Sequence, residues 1–320
     1  MSETPAGAAV VVEALVVRAG RTALSQVSLA WAAGAHAILG ARDDGGPLLL
    51  SAIAGRVRVR SGGVRVLGEN PGHPRVRRQI GYVPLDATLP DALRVDEALA
   101  VASELRQEPV QDAGARLGAL GLDALAKRPV RSLLASEARA IALAEALTST
   151  QVRVILVEEP FAVMDARAAG RMAECLRARA GAGAVVVVAT ASVGDAGDVA
   201  DDHALLRRGA LVRRGASQDV LAGFWLDGNN ARLRIVLKGP DDARALAGAL
   251  ARQTDVVGIE RLVGAVCARG RDVAALARAA GRAAIEAGVD VAELRFDPPS
   301  LDEAQARPSP VAQASGAYGA

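Results

Sequence analysis

Ala35-His36-Ala37-Ile38-Leu39-Gly40-Ala41-Arg42-Asp43-Asp44-Gly45-Gly46-Pro47-Leu48-Leu49-Leu50 is the stretch on which the fold turns. An apolar strand-like run ends at Gly40, a loop with glycines follows, and residues 48–54 continue as an apolar run of helical character. Strand, loop and helix in that order open a phosphate-binding α/β unit. Upstream, residues 10–17 and 23–31 read as strands. Downstream, residues 64–67 and 80–83 are short β-branched strands, and residues 92–127 carry helical periodicity broken near Pro109 and Gly121. An Ala/Leu-rich helix is predicted over 134–147. The uninterrupted apolar runs 152–157 and 184–189, flanked by helices, indicate a parallel sheet buried on both faces. Residues 205–208 and 210–213, split by Gly209, read as a closing hairpin.

A polar turn, Asp227-Gly228-Asn229-Asn230, marks a boundary at 223–230. Beyond it the pattern is strand (233–237), helix (241–253), strand (256–261), strand (264–268), helix (273–287) and strand (289–296). That β-α-β-β-α-β order is the ferredoxin-like pattern. The expected organisation is a first domain over 1–225, a small α+β domain over 231–306, and a disordered tail over 307–320 rich in Pro, Ser, Gly and Ala.

Composition narrows the function classes. At 320 residues and 51% hydrophobic, the chain has material for two cores. A formal net charge of +2 is too small to imply nucleic acid or an acidic surface as partner, and no nucleic acid is expected. Cys175 and Cys267 stand alone, so neither a disulfide framework nor a zinc site is expected. The first seven residues lack a positive n-region, so no secretory signal is expected there. The apolar run 181–194 is shorter than the roughly 18 residues a membrane span needs. The expectation is a soluble protein, or one peripheral to a membrane through a partner. Of 38 basic residues only Lys127 and Lys238 are lysine, and neither is near residues 40–47.

From Gly40 onward the segment order resembles the ATP-binding subunit of an ABC transporter, across residues 8–220. The C-terminal domain resembles the extra domain of some ABC exporter ATPases. A Pro-Ser-Leu-acidic motif closes those chains, and Pro299-Ser300-Leu301-Asp302-Glu303 is similar to it. The resemblance implies an α/β P-loop NTPase fold of the ABC ATPase type, with ATP and Mg as the family's ligands. It also implies a membrane permease as partner, an active ABC ATPase or a second copy as dimer mate, and a cytoplasmic location at the inner face of the cell membrane.

Motif by motif, the frame is kept and the chemistry is changed. The phosphate loop G-x-x-x-x-G-K-[ST] falls on residues 40–47, with Gly40 and Gly45 in place, Gly46 at the lysine position and Pro47 at the Mg-binding hydroxyl. The missing lysine removes a charge-assisted hydrogen bond worth roughly 1.5–3 kcal/mol. Pro47 removes a backbone N–H from a loop that serves to present them. Asp43 and Asp44 both bring carboxylates to the phosphate position, where one like-charge pair near ~4 Å costs about 4 kcal/mol at an effective dielectric of ~20. Arg42 is the one nearby cation that could substitute for the lysine. The loop itself is expected to be a bare turn between strand and helix.

The resemblance places the adenine-stacking aromatic at Ala19 and the Q-loop glutamine at Leu85, after an intact Gly81-Tyr82-Val83-Pro84. The signature L-S-G-G-[QE] falls on Leu133-Leu134-Ala135-Ser136-Glu137, without its serine or glycines. The Walker B strand survives best, as Val154-Ile155-Leu156-Val157-Glu158-Glu159-Pro160. Glu158 stands at the Mg-organising aspartate and Glu159 at the general base. Asp165 matches the D-loop aspartate, and the switch histidine is Ala191. His36, His73 and His203 are expected at strand ends or the surface.

The resemblance thus assigns Gly40, Arg42, Gly45, Gly46 and Glu158 to nucleotide binding and Glu159 to catalysis, as vestiges. Asp165, Leu85, Leu89 and Leu93 are assigned to partner contacts. No bound metal or cofactor is expected. The leading expectation is a pseudo-ATPase partner in an export-type ABC complex. A weak or conditional ATPase, and a soluble scaffold or regulator unrelated to transport, remain open alternatives.

Overall fold

The structure is a computed structural model that describes residues 7–216, 220, 231–239, 242–262, 264–270 and 273–296. The chain divides into two compact units, Met1–Ser217 and Gln218–Ala320. The expected boundary turn, the Pro299–Glu303 motif and the expected tail lie outside the described residues.

The first unit opens with an antiparallel sheet, β1 (Val10–Ala19) flanked by β2 (Thr22–Trp31) and β4 (Ser61–Val66). Leu15 pairs with Val27 and Val17 with Leu24, all four buried, while bulges in the β1–β2 pairing interrupt the strict alternation. The second sheet has six strands: β3 (Gly34–Leu39), β5 (Ile80–Val83), β6 (Val154–Glu158), β7 (Val185–Thr190), β8 (Asp202–Arg207) and β9 (Ala210–Ala216). Their order is β5-β6-β7-β3-β8-β9, parallel except for the hairpin strand β9.

Helix α1 (Gly46–Ile53) packs between the sheets, and Leu49, Leu50 and Ile53 are fully buried in one core with both. On β6, Val154 and Leu156 belong to that core, while Ile155 and Val157 are buried outside it. Both faces of the strand are therefore covered, as its uninterrupted apolar sequence requires. Helices α2 (Pro74–Arg77), α3 (Val95–Arg106), α4 (Ala113–Gly118) and α5 (Ala135–Thr148) follow β4 and β5 in sequence, with α5 packed on β5. Helices α6 (Ala166–Gly181) and α7 (Val193–Val199) pack on β3 and β7.

The second unit has strands β10 (Ala231–Leu237), β11 (Val256–Leu262), β12 (Ala265–Gly270) and β13 (Val291–Phe296), with helices α8 (Ala243–Leu250) and α9 (Val273–Ala287). The sheet order β11-β12-β10-β13, antiparallel throughout, is the ferredoxin-like arrangement. Leu233, Ile235, Leu246, Leu250, Val266 and Leu276 form its core.

His36 and His203 stand near the starts of β3 and β8, in keeping with the strand-end expectation, but turned inward. His203 is completely buried in β8, with Nε2 against the Ala200 carbonyl at 3.0 Å. His36 is nearly buried, with Nδ1 2.8 Å from Asp202 and Nε2 3.0 Å from the Ala32 carbonyl. Both belong to strands of the central sheet, whose pairing carries their side chains inside. His73 is exposed, as expected.

Candidate nucleotide-site remnant

The carboxyl ends of β3, β5, β6 and β7 converge, and ligands of open α/β sheets bind there. β3 delivers the chain to Gly40, whose N–H donates to the Thr190 carbonyl at 3.3 Å. A Cβ at Gly40 would lie 2.9 Å from the Leu206 carbonyl oxygen, so only glycine fits without a shift. Residues Arg42–Asp44 form a single 3-10 turn, Gly45 takes φ +103°, and α1 begins at Gly46 with Pro47 in its first turn.

The expected bare turn is therefore an ordered one, and its two aspartates behave differently. Asp43 is exposed. Asp44 is buried, its Oδ2 accepting from the Ala41 N–H at 2.9 Å and its Oδ1 from the Arg208 N–H at 2.7 Å. The 3-10 turn points one carboxylate outward and folds the next one back over the loop. Arg42 is exposed on the same turn.

Glu158 ends β6 as a buried carboxylate. Its Oε1 accepts from the Tyr82 hydroxyl and its Oε2 from the Leu85 N–H at 3.1 Å. The Tyr82 oxygen also lies 2.9 Å from Ser51 Oγ on α1. Burial, and then the bond to Glu158, push the Tyr82 phenol well above its usual range, so it keeps the proton it donates. Glu159 follows with φ +41°, a left-handed conformation that costs on the order of 1 kcal/mol or more in a non-glycine residue. Its N–H donates to the Ala189 carbonyl at 2.8 Å. Its carboxylate accepts from the Thr190 hydroxyl at 2.7 Å and the Ala191 N–H at 3.1 Å. The residue at the general-base position thus caps the segment that lacks the switch histidine.

Arg139 on α5 completes the cluster and was not singled out from the sequence. It is buried, and its guanidinium donates to the carbonyls of Pro84 (2.5 Å), Glu158 and Glu159 (3.1 Å). Burial pulls its pKa down, and the charges of Glu158 and Glu159 oppose that. The available signal was an arginine between Ala138 and the apolar run Ala140-Ile141-Ala142-Leu143.

Gly40, Gly45, Gly46, Leu85, Glu158 and Glu159 are brought together. The Cβ position of Gly46 is 3.3 Å from Ala189 Cβ, beside β7. Asp165 stands apart at the amino end of α6, where it caps the helix by accepting the Ala168 N–H at 2.7 Å. Leu85, Leu89 and Leu93 are half-buried, and the Leu93 carbonyl accepts the Val130 N–H at 2.9 Å. Leu134 caps the amino end of α5 and is 66% exposed; Glu137 reaches back to its N–H at 2.8 Å and pairs with Arg128 at 2.6 Å.

At the family's lysine, hydroxyl and glutamine positions this donor set offers no side-chain ligand for phosphate or magnesium. Gly46 and Pro47 supply neither cation nor hydroxyl. The Ala41 N–H is taken by Asp44. Both oxygens of Glu158 already accept hydrogen bonds, and Leu85 has no ligating side-chain atom. No helix among the described residues is long and apolar enough to cross a membrane.

The family model described as "ABC transporter" matches residues 24–162. A molybdate/tungstate import ATP-binding protein of Pyrococcus horikoshii is 29% identical over 191 residues, covering 58% of this chain and 55% of that protein. The chain spans a little over half the length of the first curated relatives it matches. A cobalt import ATP-binding protein of Rhodobacter capsulatus is 31% identical over 217 residues, covering 63% of this chain and 76% of that protein. Among solved structures, the ATP-binding subunit of an ABC transporter superposes with a TM-score of 0.60 at 19% identity, covering 67% of this chain and 92% of that one. On the fold, the motif positions and these relatives together, this chain belongs to the ATP-binding protein family of ABC transporters.

Proposed function

We propose that this chain is a pseudo-ATPase, a family member that keeps the fold without the phosphate chemistry and serves as a structural or regulatory subunit of an ABC transporter complex. The observation that carries this reading is the loop at residues 40–47. It has no lysine and no Mg-binding hydroxyl, and its own Asp44 carboxylate accepts the Ala41 N–H of the loop and the Arg208 N–H of the β8–β9 turn. The lost charge-assisted bond and the added carboxylate together weaken nucleotide binding by about 4 kcal/mol or more, at least about a thousandfold.

The partners in this reading are a membrane permease and either an active ATP-binding subunit or a second copy of this chain. The chain sits at the inner face of the cell membrane, held there by the permease. The segment with Leu85, Leu89 and Leu93 meets the permease, and the Asp165 turn meets the neighbouring ATP-binding subunit. The export form of the expectation came from the C-terminal unit. The relatives reported above are named for import, so direction is no part of the proposal.

The test is to isolate the full chain from its native membranes and measure ATP turnover of what it brings down. A polytopic membrane protein should co-purify, and Glu159→Gln in this chain should leave turnover unchanged. A monodisperse chain without a membrane protein, or turnover abolished by Glu159→Gln, overturns the reading.

A further inference from the structure

We propose that the Asp44 carboxylate is a built-in anion that takes the place of a bound phosphate and clamps the β3–α1 loop to the β8–β9 turn without any ligand. The inference deepens the reading above and rests on it for the meaning of the loop. A phosphate loop presents backbone N–H groups around an anion at the amino end of a helix. Here two such groups from distant segments, Ala41 and Arg208, donate to one buried carboxylate at 2.9 and 2.7 Å. Asp44 stands two residues before α1, where negative charge is favoured.

The clamp continues through the backbone. The Gly209 N–H donates to the Asp44 carbonyl at 3.0 Å, and the Ser25 N–H donates to the Gly209 carbonyl at 2.8 Å. Loop, turn and strand β2 are thereby joined in series. Three glycines permit the approach. A Cβ would fall 2.9 Å from the Leu206 oxygen at Gly40, 2.6 Å from Leu24 Cδ2 at Gly45, and 1.8 Å from the Ala23 oxygen at Gly209. Gly209 also holds φ +78°, a region other residues rarely adopt. An incoming phosphate would have to evict a carboxylate that is already buried and hydrogen-bonded.

The test compares the full-length wild-type chain with Asp44→Ala and Asp44→Asn. Asp44→Ala should lower the melting midpoint by roughly 5–10 °C, with Asp44→Asn between it and wild type. Inorganic phosphate, at matched ionic strength, should raise the midpoint of Asp44→Ala and leave wild type unmoved. Hydrogen exchange on the wild-type chain gives a readout that needs no variant to fold: the Ala41 and Arg208 amides should exchange as slowly as those of β3. Exchange at the rate of exposed loop amides, an unchanged midpoint in Asp44→Ala, or an equal phosphate response in both chains overturns the clamp. Tight ATP binding by a wild-type chain with slow Ala41 exchange would defeat the pseudo-ATPase reading alone. Fast exchange without ATP binding would defeat the clamp alone.

Discussion

Replacing Arg139 with methionine removes a buried guanidinium while keeping most of its bulk. That cation is 5% exposed and ties α5 to the ends of β5 and β6 through the carbonyls of Pro84, Glu158 and Glu159. Hydrogen bonds to a charged group contribute about 1.5–3 kcal/mol each, so three amount to about 4.5–9 kcal/mol. Against this stands the desolvation of the charge, an effective penalty of several kcal/mol. The difference is a net loss of about 3 kcal/mol in Arg139→Met. Arg139→Lys, a point donor in place of a planar fork, should fall between. Urea unfolding of the full chain followed by circular dichroism reads the change as a lower midpoint at constant slope. A stability for Arg139→Met within about 0.5 kcal/mol of wild type, the range of ordinary surface substitutions, refutes the reasoning.

Tyr82→Phe removes the hydroxyl that donates to Glu158 and contacts Ser51, leaving the buried carboxylate with the Leu85 N–H alone. It should destabilise by about 1.5–3 kcal/mol in the same assay. Glu108 is buried and accepts from Ser149 Oγ at 2.9 Å, the Thr150 N–H at 3.2 Å and the Gln151 N–H at 3.3 Å. Glu108→Gln keeps a carbonyl oxygen for those donors but turns its amide N–H₂ toward Ser103 Oγ, which already accepts from Arg116 and donates to Glu108, and should cost about 1–3 kcal/mol, checked by thermal unfolding. For Asp202, burial raises the carboxyl, but the His36 hydrogen bond and the Arg214 charge outweigh it and hold it below the usual range. Its contribution to stability is therefore present above the ordinary carboxylate pKa of about 3.9 and is lost as pH falls below it. The stability difference between wild type and Asp202→Asn, followed in urea, should shrink on acidification from neutral pH through that window.

Element order was legible because the periodicity is simple. The buried runs around Val154–Glu158 and Val185–Thr190 have no polar interruption before their last residues, and the strand-loop-helix at Gly40 announces itself by glycine spacing. The β-α-β-β-α-β order of the second unit follows from alternating apolar positions such as Leu233, Ile235 and Leu237. What the sequence hides is pairing at long range and choice between like neighbours. Asp43 and Asp44 are chemically identical, and only the curvature of the 3-10 turn decides which one is buried. Tyr82 and Glu158 meet because β5 and β6 are adjacent, with Tyr82 opposite Leu156, though 76 positions separate the pair. Arg139 finds three carbonyls only once α5 is packed on β5. A reading by motif also treats each substitution as a loss. In the fold the substituted loop and its neighbours form a hydrogen-bonded network of their own, with Glu159 on Thr190 and Ala191 and Asp44 on Ala41 and Arg208.

The central claim, that the family fold is kept here without nucleotide chemistry, meets its most direct test in a titration of the purified full-length chain with labelled ATP and Mg. The account predicts no saturable binding at or below micromolar nucleotide, in keeping with a loop that lacks Lys at position 46 and is filled by Asp44. A saturable Mg-dependent complex tighter than about micromolar, near 8 kcal/mol of binding free energy, would contradict it.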